Sequence, residues 1–303
     1  MSRDERQQIQ PPRQAKHERE AQANLILEWV CGRLAMSLEP EQDWARLDLV
    51  ATLAADIVDL KFTTVSRDGV TQARNFPQEV VRAFPDLRNL LYEEALGTWF
   101  SLRIEVEPPD SYSGTYNFEV DPLWDPPIPP EVYAKDLDLY PRSANNIPRW
   151  LSGKLDPAVE LPAVAPGTVE DIVERTKYAS LQLRLALPAG WTWAQLQFRE
   201  IGHHNEAEVL WRDLAGRMHV WTPPQPVNAR FSELRAAMRG RPACWYAARF
   251  EVQHSGEESF KTFGADEPQW ITSPPLDAFY DELRQAARFD YALPDWLSAH
   301  RSD

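Results

Sequence analysis

The feature that most constrains the fold of this chain is an internal repeat. Shifting the 303-residue sequence by 146 positions aligns two segments that end in Pro-x-Trp-Leu, "IPRWL" at 147–151 and "LPDWL" at 293–297. Over the 53 ungapped positions from Trp99 to Leu151, 13 residues are identical to their counterparts, and three of these are tryptophan. Chance pairing at ordinary residue frequencies gives about three or four identities. The chain therefore contains one folding unit twice.

The repeat divides the chain into four parts. We expect a polar, flexible arm at 1–22, a first domain at 23–151, a Pro/Ala-rich linker at 152–168 and a second, diverged domain at 169–303. At a shift of 147 positions Leu87-Arg88 aligns with Leu234-Arg235, so the repeat extends into the first half of each domain. Each unit is long enough to own a hydrophobic core, which predicts two homologous domains and not a solenoid.

Each domain is predicted to open with an amphipathic helix. In the first domain apolar residues recur at three- and four-residue spacing, at Leu25, Ile26, Val30, Leu34 and Leu38. The counterpart helix in the second domain carries Ile172, Val173, Tyr178, Leu181 and Leu185.

Strands and short helices follow in the first domain. Two alternating segments come first, and Asp68-Gly69 is a hairpin turn signal at the end of the second. Pro85 is predicted to split the next segment into two short helices. Residues 98–107 and 115–120 should pair as a hairpin before a last helix at 131–140. This order predicts an α+β fold: two tandem domains, each an antiparallel sheet with helices packed on it.

Composition excludes several classes of protein. The net charge of −14 argues against binding to nucleic acid, which requires a basic face. No apolar run approaches the roughly 18 residues of a membrane span, and the charged N-terminus does not resemble a secretory signal. Cys31 and Cys244 are too far apart in sequence for a CxxC motif. We therefore expect a cytoplasmic protein with two reduced thiols.

The sequence offers few candidates for chemistry. His203, His204 and Glu206 alternate along a predicted strand or turn, so neighbouring side chains point to opposite faces, and solvated hairpin polarity is favoured over a metal site. Glu105 and Glu107 share one face of a strand, but the second domain has Gln253 in place of Glu107. No phosphate-binding glycine loop or hydrolase motif is present. We expect no catalytic set, no metal and no cofactor.

The aligned pair Arg103 and Arg249 allows two interpretations. Each arginine lies two residues before a matched glutamate, Glu105 or Glu251, on the same strand face. The arginine could form a buried ion pair that fixes the sheet or it could contact a ligand. We favour the structural role, because arginine–carboxylate pairs are common between neighbouring strands.

The acidic charge is concentrated in the first domain. Residues 24–151 contain 11 Lys/Arg and 21 Asp/Glu, a net charge of −10, whereas residues 170–303 contain 15 and 19, a net charge of −4. A field of this sign accelerates encounter with a basic partner. We therefore expect the first domain to bind that partner, with the proline-flanked Trp124 as an anchor. The predicted contact residues are Glu105, Glu107, Asp121, Trp124, Asp125 and Asp136.

The first domain resembles the YezG-like immunity proteins of bacterial polymorphic toxin systems. The resemblance rests on a Gly-Thr-Trp-Phe strand start, a helix that ends in Asp-Leu-x-x-Tyr-Pro-Arg, and the final Pro-x-Trp-Leu. The matching residues are Gly97, Thr98, Trp99, Phe100, Asp136, Leu137, Tyr140, Pro141, Arg142, Pro148, Trp150 and Leu151. The second domain departs from the pattern, with Cys244 for the threonine and Glu282 for the aspartate.

The resemblance implies a protein without enzymatic activity that binds and neutralises a cognate toxin. The implied partner is a basic protein toxin, often a nuclease, and the implied mechanism is steric and electrostatic occlusion. Two other functions stay open at this point. One is a two-domain interaction scaffold without a toxin partner, and the other is an enzyme of unrecognised type.

Overall fold

The computed structural model describes residues 16–38, 43–109, 111–159, 161–240 and 244–298. The elements of the first domain, in chain order, are α1 (Lys16–Met36), β1 (Trp44–Ala54), β2 (Ile57–Ser66), β3 (Thr71–Arg74), α2 (Gln78–Val81), α3 (Ala83–Leu90), β4 (Ser101–Glu107), β5 (Ser111–Asn117), α4 (Pro130–Leu139), a 3-10 turn (Ala144–Asn146) and α5 (Arg149–Leu155).

The second domain repeats this order. Its elements are α6 (Val169–Ala186), β6 (Trp193–Ile201), β7 (His204–Arg212), β8 (Met218–Trp221), α7 (Gln225–Ala237), β9 (Ala247–Gln253), β10 (Glu258–Phe263), α8 (Leu276–Phe289) and α9 (Asp295–Ser298).

The two sheets have the same topology. The first has the strand order β3-β2-β1-β4-β5, and the second has β8-β7-β6-β9-β10, with every neighbouring pair antiparallel. The predicted α+β class, two similar units of antiparallel sheet and helices, is confirmed. The predicted turn at Asp68-Gly69 joins β2 to β3, and Gly69 adopts a positive φ of 76° there. Two short helices follow as predicted, but they separate at Arg82, and Pro85 lies in the first turn of α3.

One face of each sheet carries the main core. In the first domain, alternate residues of β1 such as Leu47 and Leu49 pack with Trp99 against the buried side of α1. That side of α1 consists of Ala23, Leu27, Val30, Cys31 and Leu34. Leu25, which we predicted to belong to this set, is exposed. Val173 in α6, which we also predicted to belong to the buried side of its helix, is exposed. The buried residues of α6 include Ala179 and Leu183.

The repeated Pro-x-Trp-Leu closes each domain. Trp150 packs edge-on against Phe100 with ring centroids 5.0 Å apart, and Trp296 packs edge-on against Tyr246 at 5.1 Å. The leucine that follows each tryptophan is buried. In both domains the C-terminal segment therefore packs on the aromatic residue that directly follows the buried Trp99 or Trp245.

Two predicted boundaries need correction. Helix α1 begins at Lys16, so residues 16–22 belong to a helix and not to a flexible arm, while residues 1–15 lie outside the described residues. Helix α5 ends at Leu155, within the predicted linker. The start of α6 at Val169 is fixed by a capping box, in which Thr168 and Asp171 exchange side-chain and backbone hydrogen bonds.

Two further observations concern the described residues as a whole. Cys31 and Cys244 are both buried and unpaired in disulfides. Among the helices of the described part of the chain, none has the length and apolar content needed to cross a membrane.

Candidate partner-binding surface

Asp136, one of the predicted contact residues, lies in the interior of the first domain. Arg88 donates two hydrogen bonds to its carboxylate, from Nη1 to Oδ1 at 2.7 Å and from Nη2 to Oδ2 at 3.0 Å. Arg88 Nε donates to the carbonyl of Trp99 at 3.0 Å, and the amide of Ala55 donates to Asp136 Oδ1. Both side chains of this pair are buried. The prediction that Asp136 contacts a partner is therefore wrong.

Glu105 lies on the sheet face opposite the core, and the second domain covers that face. Its Oε2 accepts a hydrogen bond from His254 Nε2 at 3.0 Å. Burial alone would raise the pKa of Glu105, but the bond from His254 and the charges of Arg103 and Arg46 outweigh it and lower the pKa to about 2. Glu105 is thus a charged member of the contact between domains, and its predicted role in binding an outside partner is wrong.

Arg103 joins the same interdomain contact. It pairs with Asp48 on the neighbouring strand and donates from Nη1 to the carbonyls of Arg184 at 2.8 Å and Leu187 at 2.9 Å. These carbonyls lie at the C-terminal end of α6, where a positive charge is favourable. The structural interpretation of Arg103 is confirmed. Arg249, its counterpart, is instead exposed on the second sheet.

Arg46 extends the contact to its edge. It is buried, and it donates from Nη1 to the carbonyl of Trp191 at 2.9 Å and from Nε to Glu107 Oε1 at 2.8 Å. Glu107 keeps 42% of its side chain exposed at the margin of this interface. Of the two strand glutamates predicted to bind a partner, Glu107 alone is partly open to solvent.

The remaining predicted residues lie in the segment before α4. Asp121 is buried, where its Oδ1 accepts from the Leu123 amide at 2.9 Å and its carbonyl accepts from Gln182 of α6 at 3.0 Å. Trp124 is half-buried against the cluster that contains Leu151. Asp125 is exposed. The six predicted residues therefore do not form one surface, because Asp121, like Glu105 and Asp136, is held inside.

The second domain contains a buried group of titratable side chains around Arg235. Arg235 donates from Nε to the carbonyl of Trp245 at 2.8 Å and from Nη2 to Glu282 at 2.7 Å, and Glu200 lies 3.3 Å from its Nη1. Burial raises the pKa of Glu200, whereas at Glu282 the charge of Arg235 outweighs burial and lowers the pKa. The group is fully enclosed, and we assign it a structural role equivalent to that of Arg88.

The neighbouring His203 and His204 contact different carboxylates. His203 Nδ1 lies 3.0 Å from Asp281, and His204 lies 3.8 Å from Glu206 while its ring contacts Trp270. Among the described residues no group of three or more His, Cys, Asp or Glu side chains is arranged to hold a metal ion.

The outer side of α1 carries an apolar stripe that the sequence analysis missed. Leu25, Trp29 and Met36 are 66%, 45% and 74% exposed. Their spacing of four and seven residues places them on one face of the helix. Large exposed apolar side chains in line on a helix are typical of a protein-binding surface, and tryptophan is the residue most often dominant there. We call these three residues the α1 stripe.

Acidic side chains border the α1 stripe. Glu18 and Glu28 are exposed on or beside the same helix face. The lysine and arginines of α1 have partners outside the helix: Lys16 pairs with Glu93 at 2.8 Å, Arg33 pairs with Glu79, and Arg19 donates to the carbonyl of Tyr92 at 2.7 Å. The stripe therefore combines an apolar centre with a negatively charged edge, a combination that suits a partner with an apolar patch inside a basic surface.

A helical projection of residues 16–36 could have found this stripe. The helix carries two sets of apolar residues, one based on Leu27 and Val30 and one based on Leu25 and Trp29, on different faces. Counting three- and four-residue spacings alone merged the two sets, because Leu25 directly precedes Ile26, which begins the four-residue series that continues with Val30 and Leu34.

Comparison of the sequence with models of known protein families finds no match, and comparison with curated proteins finds none either.

Proposed function

We propose that this chain is a cytoplasmic immunity protein that binds and neutralises a cognate basic toxin, with the α1 stripe of the first domain at the centre of the contact. The observation that carries the proposal is the exposure of Leu25, Trp29 and Met36 in line on one helix face. Burying such side chains against a partner contributes roughly 25 cal/mol for each Å² of apolar surface removed from water.

The distribution of charge supports the choice of partner. The first domain has a net charge of −10, and the acidic side chains buried inside it are balanced by Arg46, Arg88 and Arg103. The remaining negative charge is therefore weighted to the surface, where it favours approach of a basic protein. A nuclease needs a basic groove for its phosphate substrate, and an acidic protein seated over that groove blocks it both sterically and electrostatically.

The resemblance to YezG-like immunity proteins is part of this proposal. It agrees with the position of Trp150 and Leu151, which close the first domain, and of Thr98, whose hydroxyl donates to the carbonyl of Arg88 at 2.8 Å. These motif residues are structural. The resemblance therefore supports a shared fold, and the proposed binding role rests on the α1 stripe.

Co-expression tests the proposal. The toxin domain encoded beside this chain should stop cell growth alone, and the full chain should restore growth and form a complex with it. Trp29→Ala should weaken that complex by about 2 kcal/mol or more, roughly 30-fold, as expected for a central aromatic contact. Leu25→Glu should weaken it further, because a charge is placed in the apolar centre.

Leu276→Glu is the matched control, because Leu276 is 59% exposed on α8 of the second domain. It should leave rescue and affinity unchanged. Rescue that persists in Leu25→Glu and fails in Leu276→Glu would contradict the assignment to α1. Absence of both rescue and complex with the unmodified chain would contradict the immunity function itself.

A further inference from the structure

Strand β5 forms one edge of the first sheet. It pairs with β4 on one side, and on its other side no strand of the described residues pairs with it. The backbone N–H and C=O groups on that side can therefore accept a strand from another chain. Residues 111–114 are exposed, and Tyr112 is 43% exposed. The edge is thus accessible from solvent.

The edge strands of the described sheets differ in charge. Side chains that carry or can gain a charge near neutral pH lie on three of them: Arg74 on β3, His219 on β8, and Glu258 and Lys261 on β10. Such side chains protect an edge, because pairing with another chain would remove them from water. The sequence of β5, Ser-Tyr-Ser-Gly-Thr-Tyr-Asn, contains no such side chain.

The comparison of β5 with β10 shows that this difference is specific to the first domain. At the shift of 146 positions, Glu258 of β10 aligns with Tyr112 of β5, and Lys261 aligns with Thr115. The same edge of the same fold is therefore charged in the second domain and uncharged in the first. The fold itself does not require an uncharged strand at this position.

The residue types of β5 are symmetric about Gly114. Tyr112 and Tyr116 lie two positions to either side of it, and Ser113 and Thr115 lie one position to either side. A dimer with two-fold symmetry needs such a self-complementary surface, in which residue i of one copy contacts residue j of the other and j contacts i.

Two antiparallel β5 strands centred on Gly114 would place like residue types opposite each other. Each Tyr112 would lie opposite the other copy's Tyr116, and each Ser113 would lie opposite the other copy's Thr115. Aromatic pairs and hydroxyl pairs at directly opposite positions stabilise antiparallel sheets. No charged side chains would face each other in this ladder.

The surroundings of β5 agree with this pairing and set its length. The Tyr116 hydroxyl is buried and has no hydrogen-bond partner among the described residues, and the other copy's Tyr112 would bring a second hydroxyl to the same face. Asn117 is buried, and its Nδ2 donates to the carbonyl of Val120 at 2.8 Å. The chain therefore folds back on itself after β5, and the pairing is limited to residues 112–116.

We propose that two copies of this chain associate edge to edge through β5, with the two-fold axis at Gly114. The first sheets of the two copies then form one continuous antiparallel sheet. Each copy has a net charge of −14, so the copies repel each other at a distance, and added salt should strengthen the dimer by screening this repulsion. The inference does not depend on the toxin-binding proposal, because no residue of β5 belongs to the α1 stripe.

Sedimentation velocity of the full chain over a range of concentrations tests the association. We expect an equilibrium between monomer and dimer, with a Kd on the order of 10 µM, because a ladder of five residues is a small interface. Raising the salt concentration from about 50 mM to about 500 mM should lower this Kd. A chain that stays monomeric up to about 300 µM would overturn the proposal. Assembly beyond the dimer, or a dimer that weakens with salt, would overturn it as well.

The variant Ser113→Lys locates the contact on β5. Ser113 is exposed, so the change should leave the melting temperature of the monomer unchanged. It places an ammonium group in the ladder of each copy and should raise the Kd of the dimer by about tenfold or more. The matched control is Ser259→Lys, at the aligned and exposed position of β10, which should dimerise like the unmodified chain. Equal Kd values in the two variants would contradict the assignment to β5.

A double variant tests the register of the pairing. When Ser113→Lys is combined with Thr115→Glu, the introduced lysine of each copy faces the introduced glutamate of the other. This variant should recover most of the affinity that Ser113→Lys loses, whereas Thr115→Glu alone should weaken the dimer. Absence of recovery would contradict an antiparallel pair centred on Gly114. A monomeric chain whose toxin complex is weakened by Ser113→Lys would assign the edge to the toxin, and would overturn the dimer.

Discussion

Each domain buries one arginine at the aligned position, but the number of carboxylates that face it differs between the domains. In the first, Arg88 faces one carboxylate, Asp136, in a two-bonded pair. In the second, Arg235 at the aligned position faces two, Glu282 and Glu200. Both arginines donate Nε to the carbonyl of the matching tryptophan. In both domains the arginine therefore holds the tryptophan that precedes the next strand. The carboxylate partners differ, and in the second domain Glu282 also accepts a hydrogen bond from Tyr291.

The outer surfaces of the domains diverge more than their interiors. The first sheet uses its outer face to hold the C-terminal end of α6 through Arg103, while the outer face of the second sheet leaves Arg249 exposed. Helix α1 exposes Trp29, whereas α6 contacts the first domain through Gln182. The two copies of the fold therefore differ in their first helices: α1 leaves an apolar side chain exposed, whereas α6 packs against the other domain.

The comparison of the two buried arginines predicts the largest effect on stability. Arg88→Met should lower the free energy of unfolding by about 3–5 kcal/mol, because Asp136 is left buried without a counter-charge. Arg235→Met should cost at least as much, because it leaves Glu200 and Glu282 together. Urea unfolding measures both, with Arg249→Met as the exposed control that should change stability by less than about 0.5 kcal/mol. A smaller loss in Arg235→Met than in Arg88→Met would contradict the comparison.

The interdomain contact of Glu105 should make stability depend on acid pH. The folded-state pKa of Glu105 is about 2, below the ordinary value of 4.5. Its contribution is therefore complete above about pH 4.5 and is lost as the pH falls towards 2, a change on the order of 3 kcal/mol. In Glu105→Gln the free energy of unfolding should therefore change less between pH 4.5 and pH 2 than in the unmodified chain.

Glu251→Gln is the control for that experiment, because Glu251 is aligned with Glu105 but accepts a hydrogen bond from Gln195 instead of facing a cation. It should leave the acid dependence unchanged. An unchanged acid dependence in Glu105→Gln would show that this carboxylate does not stabilise the domain contact.

The hydroxyl of Tyr291 distinguishes the two arginine centres, because among the described residues of the first domain no tyrosine hydroxyl donates to Asp136, and that of Tyr140 donates to Asn89. The Tyr291 hydroxyl donates to Glu282 Oε1 at 2.8 Å in the buried interior. Tyr291→Phe should destabilise the second domain by about 1.5–3 kcal/mol, the usual range for a hydrogen bond to a charged group. Hydrogen exchange resolved by domain measures the loss, and Tyr280→Phe on the surface of α8 should show none. A loss spread equally over both domains would contradict a local role.

The capping box of α6 gives the smallest of these effects. Thr168→Ala removes the side chain that accepts from the amide of Asp171, and it should cost about 1 kcal/mol. The loss should show in the exchange of α6 amides and leave α1 unchanged. Thr272→Ala, an exposed threonine outside the helices, is the control. Equal protection of α6 in both variants would mean that the cap contributes nothing measurable.

The sequence predicted the fold because the signals of the fold are local and occur twice. Hairpin turns, proline positions and strand alternation recur at an offset of 146 or 147 residues, so each domain supports the assignment of the other. Burial of polar residues was harder to predict. Asp136 lies three residues after the buried Tyr133 on α4, which places it on the inward side, but its partner Arg88 is 48 residues away. The alternation of the strand puts Glu105 and Glu107 on one face, yet nothing local indicates that the second domain covers Glu105 there.

Oxidative footprinting of the free chain and of its toxin complex tests the central claim most directly. Met36 is 74% exposed on the α1 stripe, and Met218, at 49%, is a built-in reference in the second domain. We predict that complex formation lowers the oxidation of Met36 and Trp29 and leaves Met218 unchanged. Protection of Met218 with Met36 and Trp29 oxidised as in the free chain would contradict the claim that α1 of the first domain is the binding surface.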